Sequence, residues 1–354
     1  MNINELFEKT IAGKASDLHL IAGIPPMIRV DGSLNPLTQY PPLTGQEIEQ
    51  MVLSIISEPQ KKLFIQNRAL DFSYGFGGGD YGDQGRFRIN IYFQRNTIAV
   101  AARLLPAVIR TIEELGLPQI VHTFSKLKQG FVIVAGPTGH GKSTTLAALI
   151  NEVNLSASNN IITIEDPIEY MYPAGRSIIS QREVGIDSLT WGESLRSALR
   201  EDPDVLLIGE MRDPESISSA ITIAETGHLV FSTLHTNSAA QSIDRIIDSF
   251  PDKQQNQIRA QLSGSLAGVV SQRLIPTIDG GRVVCCEVMI ANNAVKSNIR
   301  EGKTHLIDSI IQTSQDIGMI PQETSLAALV KQGIISLDVA KSYALRVDAL
   351  MQLL

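Results

Sequence analysis

One stretch constrains this chain more than any other: Gly136-Pro-Thr-Gly-His-Gly-Lys-Ser-Thr-Thr145. The five residues before it, Phe131 to Ala135, are apolar and β-branched, which predicts a buried parallel strand. The residues after it, 144–151, read as the first turns of a helix. A strand, then G-x-x-x-x-G-K-[ST], then a helix is the context of a phosphate-binding loop. Gly136, Gly139 and Gly141 let the backbone approach closely and turn its N–H groups inward. Pro137, Thr138 and His140 fill the variable positions, and Thr144 completes the expected phosphate-contacting set. Lys142 is placed to neutralise β- and γ-phosphates, and the Ser143 hydroxyl to ligand Mg²⁺.

Length and composition narrow the class. A chain of 354 residues allows two domains, and 43% hydrophobic residues suffice for a sizeable core. The net charge of −7, without a basic stripe, argues against a nucleic-acid binder. The two cysteines, Cys285 and Cys286, are adjacent, so on a strand they point to opposite faces and do not form a disulfide. Without a C-x-x-C pair there is no cysteine zinc site, and the thiols fit a reducing cytoplasm. The N-terminus lacks the basic and apolar segments of a signal peptide. No run of about 18 apolar residues is present to span a membrane.

The chain divides by pattern into a small α/β domain over residues 1–105, a linker at 106–118, an α/β core at 119–290 and a helical tail at 291–354. In the first part we expect a helix at 4–14, strands at 17–21 and 25–34 with an Asp-Gly turn, and a helix from about 44 to 56. Thr44 and Glu47 have the spacing of a capping box for that helix. Strands at 71–76, 86–94 and 98–105 come next, with a glycine-rich hairpin loop at 75–85. The core reads as strands at 161–165, 205–209, 229–234 and 283–289. Between them come helices at 191–200, 216–226, 237–249 and 253–272. Alternating strands and helices argue for a doubly wound sheet.

In such a sheet ligands sit beyond the carboxyl ends of the strands. One strand runs into the phosphate loop. The others end in Glu165-Asp-Pro-Ile-Glu169, in Gly209-Glu-Met-Arg-Asp213 and in His235-Thr236. A phosphate cradle, two acidic clusters and an imidazole on one edge are the parts that phosphoryl transfer to water requires. Glu210 can hold the magnesium shell or polarise water; Glu165 is the other candidate general base, and the pattern does not divide the work between them. His235 is placed to donate to a γ-phosphate. His228, at a helix-to-strand turn, is either structural or nucleotide-facing. His19 reads as a packing residue, and His122 and His305 have no supporting context.

These residues together resemble the retraction-motor ATPases of type IV pili, within the type II/IV secretion ATPase superfamily. The carriers are Ser16-Asp-Leu-His-Leu20, the phosphate loop, Ile161 to Glu169, Ala198 to Asp204, Leu207 to Asp213, and Ala224-Glu-Thr-Gly-His-Leu-Val-Phe-Ser-Thr-Leu-His-Thr236. The resemblance implies a PAS-like N-terminal domain, a RecA-like P-loop NTPase domain and a helical tail. It implies ATP and Mg²⁺ as cofactors, with Ser143 and Glu210 at the metal and Glu165 and Glu210 activating water. His235 would read the γ-phosphate, Glu169 and His228 would flank the nucleotide, and Arg88 and Arg103, with Arg95, would reach it. From the residues alone those arginines, and Arg86, read equally as exposed strand charges.

The resemblance further implies a homohexamer, no nucleic acid, and a cytoplasmic position at the inner membrane against a pilus platform protein. A second retraction or assembly ATPase is a further expected partner. The linker is expected to flex during turnover. The missing N-terminal extension and tetracysteine segment favour retraction over assembly. The tail segment Ala294 to Glu301 departs from the retraction pattern at its central positions, which keeps an accessory retraction motor open. His140 stands where this family carries a small serine; the backbone should tolerate it, the alternative being an imidazolium near the phosphates at low pH.

Overall fold

The computed structural model describes residues 2–77, 85–105, 108–211 and 213–354. The glycine-rich loop expected at 75–85 falls largely outside them, as do Pro106 and Arg212. The chain forms two compact units. The first holds Met1–Val108 and Pro167–Met171; the second holds Ile109–Asp166 and Tyr172–Leu354.

The first unit runs α1 (Ile3–Ala12), β1 (Asp17–Leu20), β2 (Met27–Val30), β3 (Ser33–Pro36), α2 (Gly45–Leu53), α3 (Glu58–Asn67), β4 (Ala69–Phe76), β5 (Gly85–Gln94) and β6 (Thr97–Leu104). The capping box of α2 is present, Thr44 accepting from the Glu47 amide. The strands form an antiparallel sheet in the order β3-β2-β1-β6-β5-β4. Alternation along each strand divides its two faces. Leu18, Leu20, Ile89, Ile91 and Val100 go into the core with Phe7 of α1, which stacks on Phe87 at 4.2 Å between centroids. The other face is polar. The sequence pattern misses α3 because its apolar residues are few and Leu63 and Ile65 are exposed.

The second unit begins with a segment expected to be linker. Ile112 and Leu117 are instead buried in this unit's core. His122 holds the segment from below, its Nε2 2.9 Å from Glu113 and its Nδ1 2.9 Å from Glu152. The elements are α4 (His122–Ser125), β7 (Gly130–Ala135), α5 (Lys142–Ser156), β8 (Asn160–Glu165), β9 (Ile178–Glu183), α6 (Trp191–Ala198) and β10 (Val205–Ile208). They continue with α7 (Pro214–Glu225), β11 (Leu229–Leu234), α8 (Ala239–Asp248), α9 (Asp252–Ser265), β12 (Leu266–Pro276) and β13 (Arg282–Ile290). The tail adds α10 (Asn293–Arg300), α11 (Ile307–Thr313), α12 (Gln322–Lys331), α13 (Leu337–Tyr343) and α14 (Val347–Leu353).

These strands form one sheet in the order β13-β12-β7-β11-β10-β8-β9, parallel except for β13. β7, β10 and β11 are buried at every residue, as strands covered on both faces must be. Cys285 and Cys286 point to opposite faces of β13, into separate cores. Burial pushes the Cys285 thiol up to about 11 and that of Cys286 further still. No helix among the described residues is long and apolar enough to cross a membrane.

One expectation is overturned. The pattern predicts a single helix over residues 253–272, but the helix stops at Ser265 and Leu266–Pro276 is a strand. The change comes after Ser263-Gly264-Ser265, where the chain turns to the apolar, β-branched run that fills a sheet position between β7 and β13. Gly268 sits at an irregularity in the register with β7. A Cβ there would collide with the Phe124 ring and lie 2.8 Å from the Met289 carbonyl oxygen. Gly268→Ala is therefore expected to lower stability by about 1–3 kcal/mol, read from the denaturant midpoint at unchanged slope.

Candidate nucleotide-binding site

The parallel register brings the carboxyl ends of β7, β8, β10 and β11 to one edge, and with them the phosphate loop, Glu165, Glu210 and His235. The loop has the backbone its glycines permit: φ is +147° at Gly136, +78° at Gly139 and +83° at Gly141. At Gly136 a Cβ would strike the Gln272 carbonyl oxygen, so no other residue fits there. Gly141 precedes α5 without a side-chain cap, leaving the helix's first N–H groups and the positive end of its dipole to face an anion.

Lys142 is 8% exposed. Its Nζ donates to the Gly136 and Pro137 carbonyl oxygens at 2.9 and 3.0 Å and lies 3.3 Å from His235 Nδ1. An ammonium has only donors, so His235 Nδ1 accepts and its proton sits on Nε2. That nitrogen donates to Glu210 Oε1 at 3.2 Å. Thr138 Oγ1 also lies 3.3 Å from His235 Nδ1. A continuous polar path therefore joins the loop lysine to the carboxylate after β10. The turn that carries His235 is pinned further on. Thr236 Oγ1 meets Ser242 Oγ at 2.7 Å, and the Ala239 amide donates at 2.7 Å to Glu287 Oε1. Burial pushes Glu287 up to about 7, and the Ala239 bond pulls the other way.

Glu165 is held differently. It is 9% exposed, and its Oε1 accepts from Thr163 Oγ1 at 2.7 Å and from Gln181 Nε2 at 3.3 Å. Gln181 lies on β9, a strand the sequence pattern does not reveal because its residues are polar and half exposed. Asp213 is occupied structurally, since its Oδ1 accepts from the Ser216 amide at 2.8 Å and caps α7. Ser143 is exposed on the first turn of α5. No group of three or more His, Cys, Asp or Glu side chains forms a metal cluster among the described residues. A hydroxyl with one carboxylate suits Mg²⁺, which takes one or two protein ligands besides phosphate and water.

One expected nucleotide contact lies elsewhere. His228 is at the amino end of β11, a six-residue strand or about 20 Å from the loop's edge. Its Nδ1 donates to the Ile223 carbonyl oxygen at 3.0 Å and closes the end of α7. Glu169 is half-buried and belongs to the first unit.

In the first unit, Arg88 and Arg103 are directly opposite on β5 and β6, and register continues the row through Asp17 to Arg29. Arg88 Nη2 is 2.6 Å from Asp71 Oδ2, and Arg103 Nε is 3.0 Å from Asp17 Oδ1. Burial pushes the Asp17 carboxyl up, but hydrogen bonds from Ser16 and Arg103 more than offset it and leave it below its ordinary value. Arg95 is in the β5–β6 turn with φ +46°, seven residues or about 23 Å along the strand from Arg88. The fold therefore does not group it with the other two.

His140 is the residue whose role the sequence leaves open. The Leu274 amide of β12 donates to its Nδ1 at 3.0 Å, which requires a lone pair there. Burial, with the charges of Arg273, Arg282 and Lys142, holds the imidazole below its ordinary value. His140 is thus a neutral brace for the loop, not a cation presented to phosphate.

The fold and the loop define a RecA-like P-loop nucleotide hydrolase. The model of the family described as type II/IV secretion system protein matches residues 99–336. The chain is 44% identical to the type IV pilus retraction ATPase PilT of Pseudomonas aeruginosa, over 97% of this chain and 98% of that one. It is 45% identical to a twitching motility protein of Neisseria gonorrhoeae, over 92% and 85%. A crystal structure of the pilus retraction motor PilT with bound ADP superposes with a TM-score of 0.91 at 44% identity, covering 99% of each chain. The chain belongs to the type II/IV secretion ATPase family and is an ATP-hydrolysing enzyme.

Because the lowered His140 value lies below the unfolded one, acid protonates the unfolded chain first and costs the native state stability from about pH 6.5 downward. In His140→Ser the lost Leu274 bond should cost about 1 kcal/mol at pH 8. The gap between variant and wild type should then narrow as pH falls below about 6.5, measured by urea unfolding.

Proposed function

We propose that this chain is the ATPase motor that drives retraction of type IV pili for twitching motility, working as a homohexamer beneath an inner-membrane platform protein. The path from Lys142 through His235 to Glu210 carries the reading, because it couples the group that would sense the transferred phosphoryl to an acid on another strand. Glu165, oriented by Thr163 and Gln181, is the better placed of the two carboxylates to orient and deprotonate water. Glu210, tied to His235, is left to report the phosphate state and, with Ser143, to hold Mg²⁺. The metal would neutralise charge on the β- and γ-phosphates.

Like charges directly opposite repel, and Asp71 and Asp17 offset the repulsion between Arg88 and Arg103. In the proposed ring these arginines would complete a nucleotide pocket. Whether the chain is the main or an accessory retraction motor rests on its partners.

Lys142→Ala should abolish ATP turnover, and near-normal turnover in a pure preparation would refute the assignment. Glu165→Gln should lower kcat by about 10²–10⁴-fold while ATP still binds. A deletion strain should carry excess surface pili and lose twitching; a strain without pili would indicate assembly instead.

A further inference from the structure

Gln272 is not among the groups assigned above to phosphate, metal or water. It lies on β12 at 2% exposure and meets both ends of the phosphate loop. Its Nε2 donates to the His140 carbonyl oxygen at 2.8 Å, and its Oε1 accepts from Thr145 Oγ1 at 2.7 Å. Its own carbonyl oxygen fills the space beside Gly136. A neutral primary amide donates to a carbonyl with one atom and accepts from a hydroxyl with the other.

The direction of the His140 carbonyl has a consequence one atom further on. In a trans peptide the C=O and the next N–H point opposite ways. With the His140 oxygen drawn to β12, the Gly141 N–H is aimed away from β12. We infer that Gln272 is a positioning residue for nucleotide binding: its amide fixes the His140–Gly141 peptide so that the Gly141 N–H faces an oxygen of the nucleotide β-phosphate. The bond from Leu274 N–H to His140 Nδ1 is a second tie on the same residue. The inference rests on the reading that the loop holds a nucleoside di- or triphosphate.

The test titrates fluorescent ADP with Mg²⁺ onto full-length wild type, Gln272→Glu and Gln272→Met at pH 8.5 and pH 6. An ionised glutamate keeps the bond from Thr145 but repels the His140 carbonyl; a protonated one restores the donor. Gln272→Glu should therefore bind ADP about 10- to 100-fold more weakly at pH 8.5 and recover most of that at pH 6. Gln272→Met, similar in length and apolar, should lose a similar factor at both pH values. His140, Lys142, Arg273 and Arg282 face the same region, and their contribution at each pH is removed by comparison with wild type. Melting of the nucleotide-free variants within about 3 °C of wild type would confine the effect to the loop. Should Gln272→Glu fail to fold, Gln272→Met alone decides. Binding by Gln272→Met within threefold of wild type overturns the inference, as does a Gln272→Glu loss that is the same at both pH values. Wild type that does not bind ADP would instead overturn the reading of the loop, and the inference with it.

Discussion

β7 is hydrogen-bonded to a parallel strand on each side, β11 and β12, and the groups around the phosphate loop depend on that pairing. Burial on both faces leaves a parallel strand chiefly its ends for charged residues. Three adjacent strands and β8 then terminate together, and the residues just past each of them must lie along one edge. Hydroxyls tighten the alignment: Ser232 and Thr233 of β11 donate to the Ile208 and Gly209 carbonyl oxygens at 2.8 and 2.7 Å. At Gly209 a Cβ would sit 3.4 Å from Glu165 Cα, so β10 ends against the carboxylate of its neighbour. On the other flank β12 serves as a splint, giving the loop a backbone carbonyl, an amide side chain and a backbone N–H.

Sequence patterns carry a good part of this. The loop, its strand and its helix are legible because their spacing is dictated by phosphate geometry. Glu165, Glu210 and His235 are legible because each comes at or just past the end of a mainly apolar strand. The features that escape are instructive. β12 reads as helix because its run from Leu266 to Ile275 continues the chain directly from α9 with no loop between them. With it goes Gln272, which carries no motif of its own and acquires meaning only when β12 lies beside β7. Gln181 is lost with β9, an edge strand too polar to show an apolar pattern.

Two residues illustrate the limit of motif-level inference. His228 and His235 lie in the same motif segment, yet a six-residue strand separates them and places them at opposite edges of the sheet. Arg88, Arg103 and Arg95 are similarly near in sequence, but pairing register sets the first two face to face and puts the third at a turn. Period and register, not proximity along the chain, decide which side chains share a site. The reverse holds for His122. It has no motif around it, yet the fold seats it between Glu113 and Glu152.

The two cysteines give the second unit a built-in clock. Thiolate, not thiol, reacts with alkylating reagents, and both sulfurs are sealed in separate cores with ionisation pushed far above neutrality. Cys285 lies under the tail helices and Cys286 in the core on the other face of β13, so neither thiol meets solvent until the packing over its face opens. The rate at which Cys285 acquires a thiol label is thus the rate at which the tail helices that cover it lift from β13. A cysteine introduced anywhere on the surface would be labelled against a silent background.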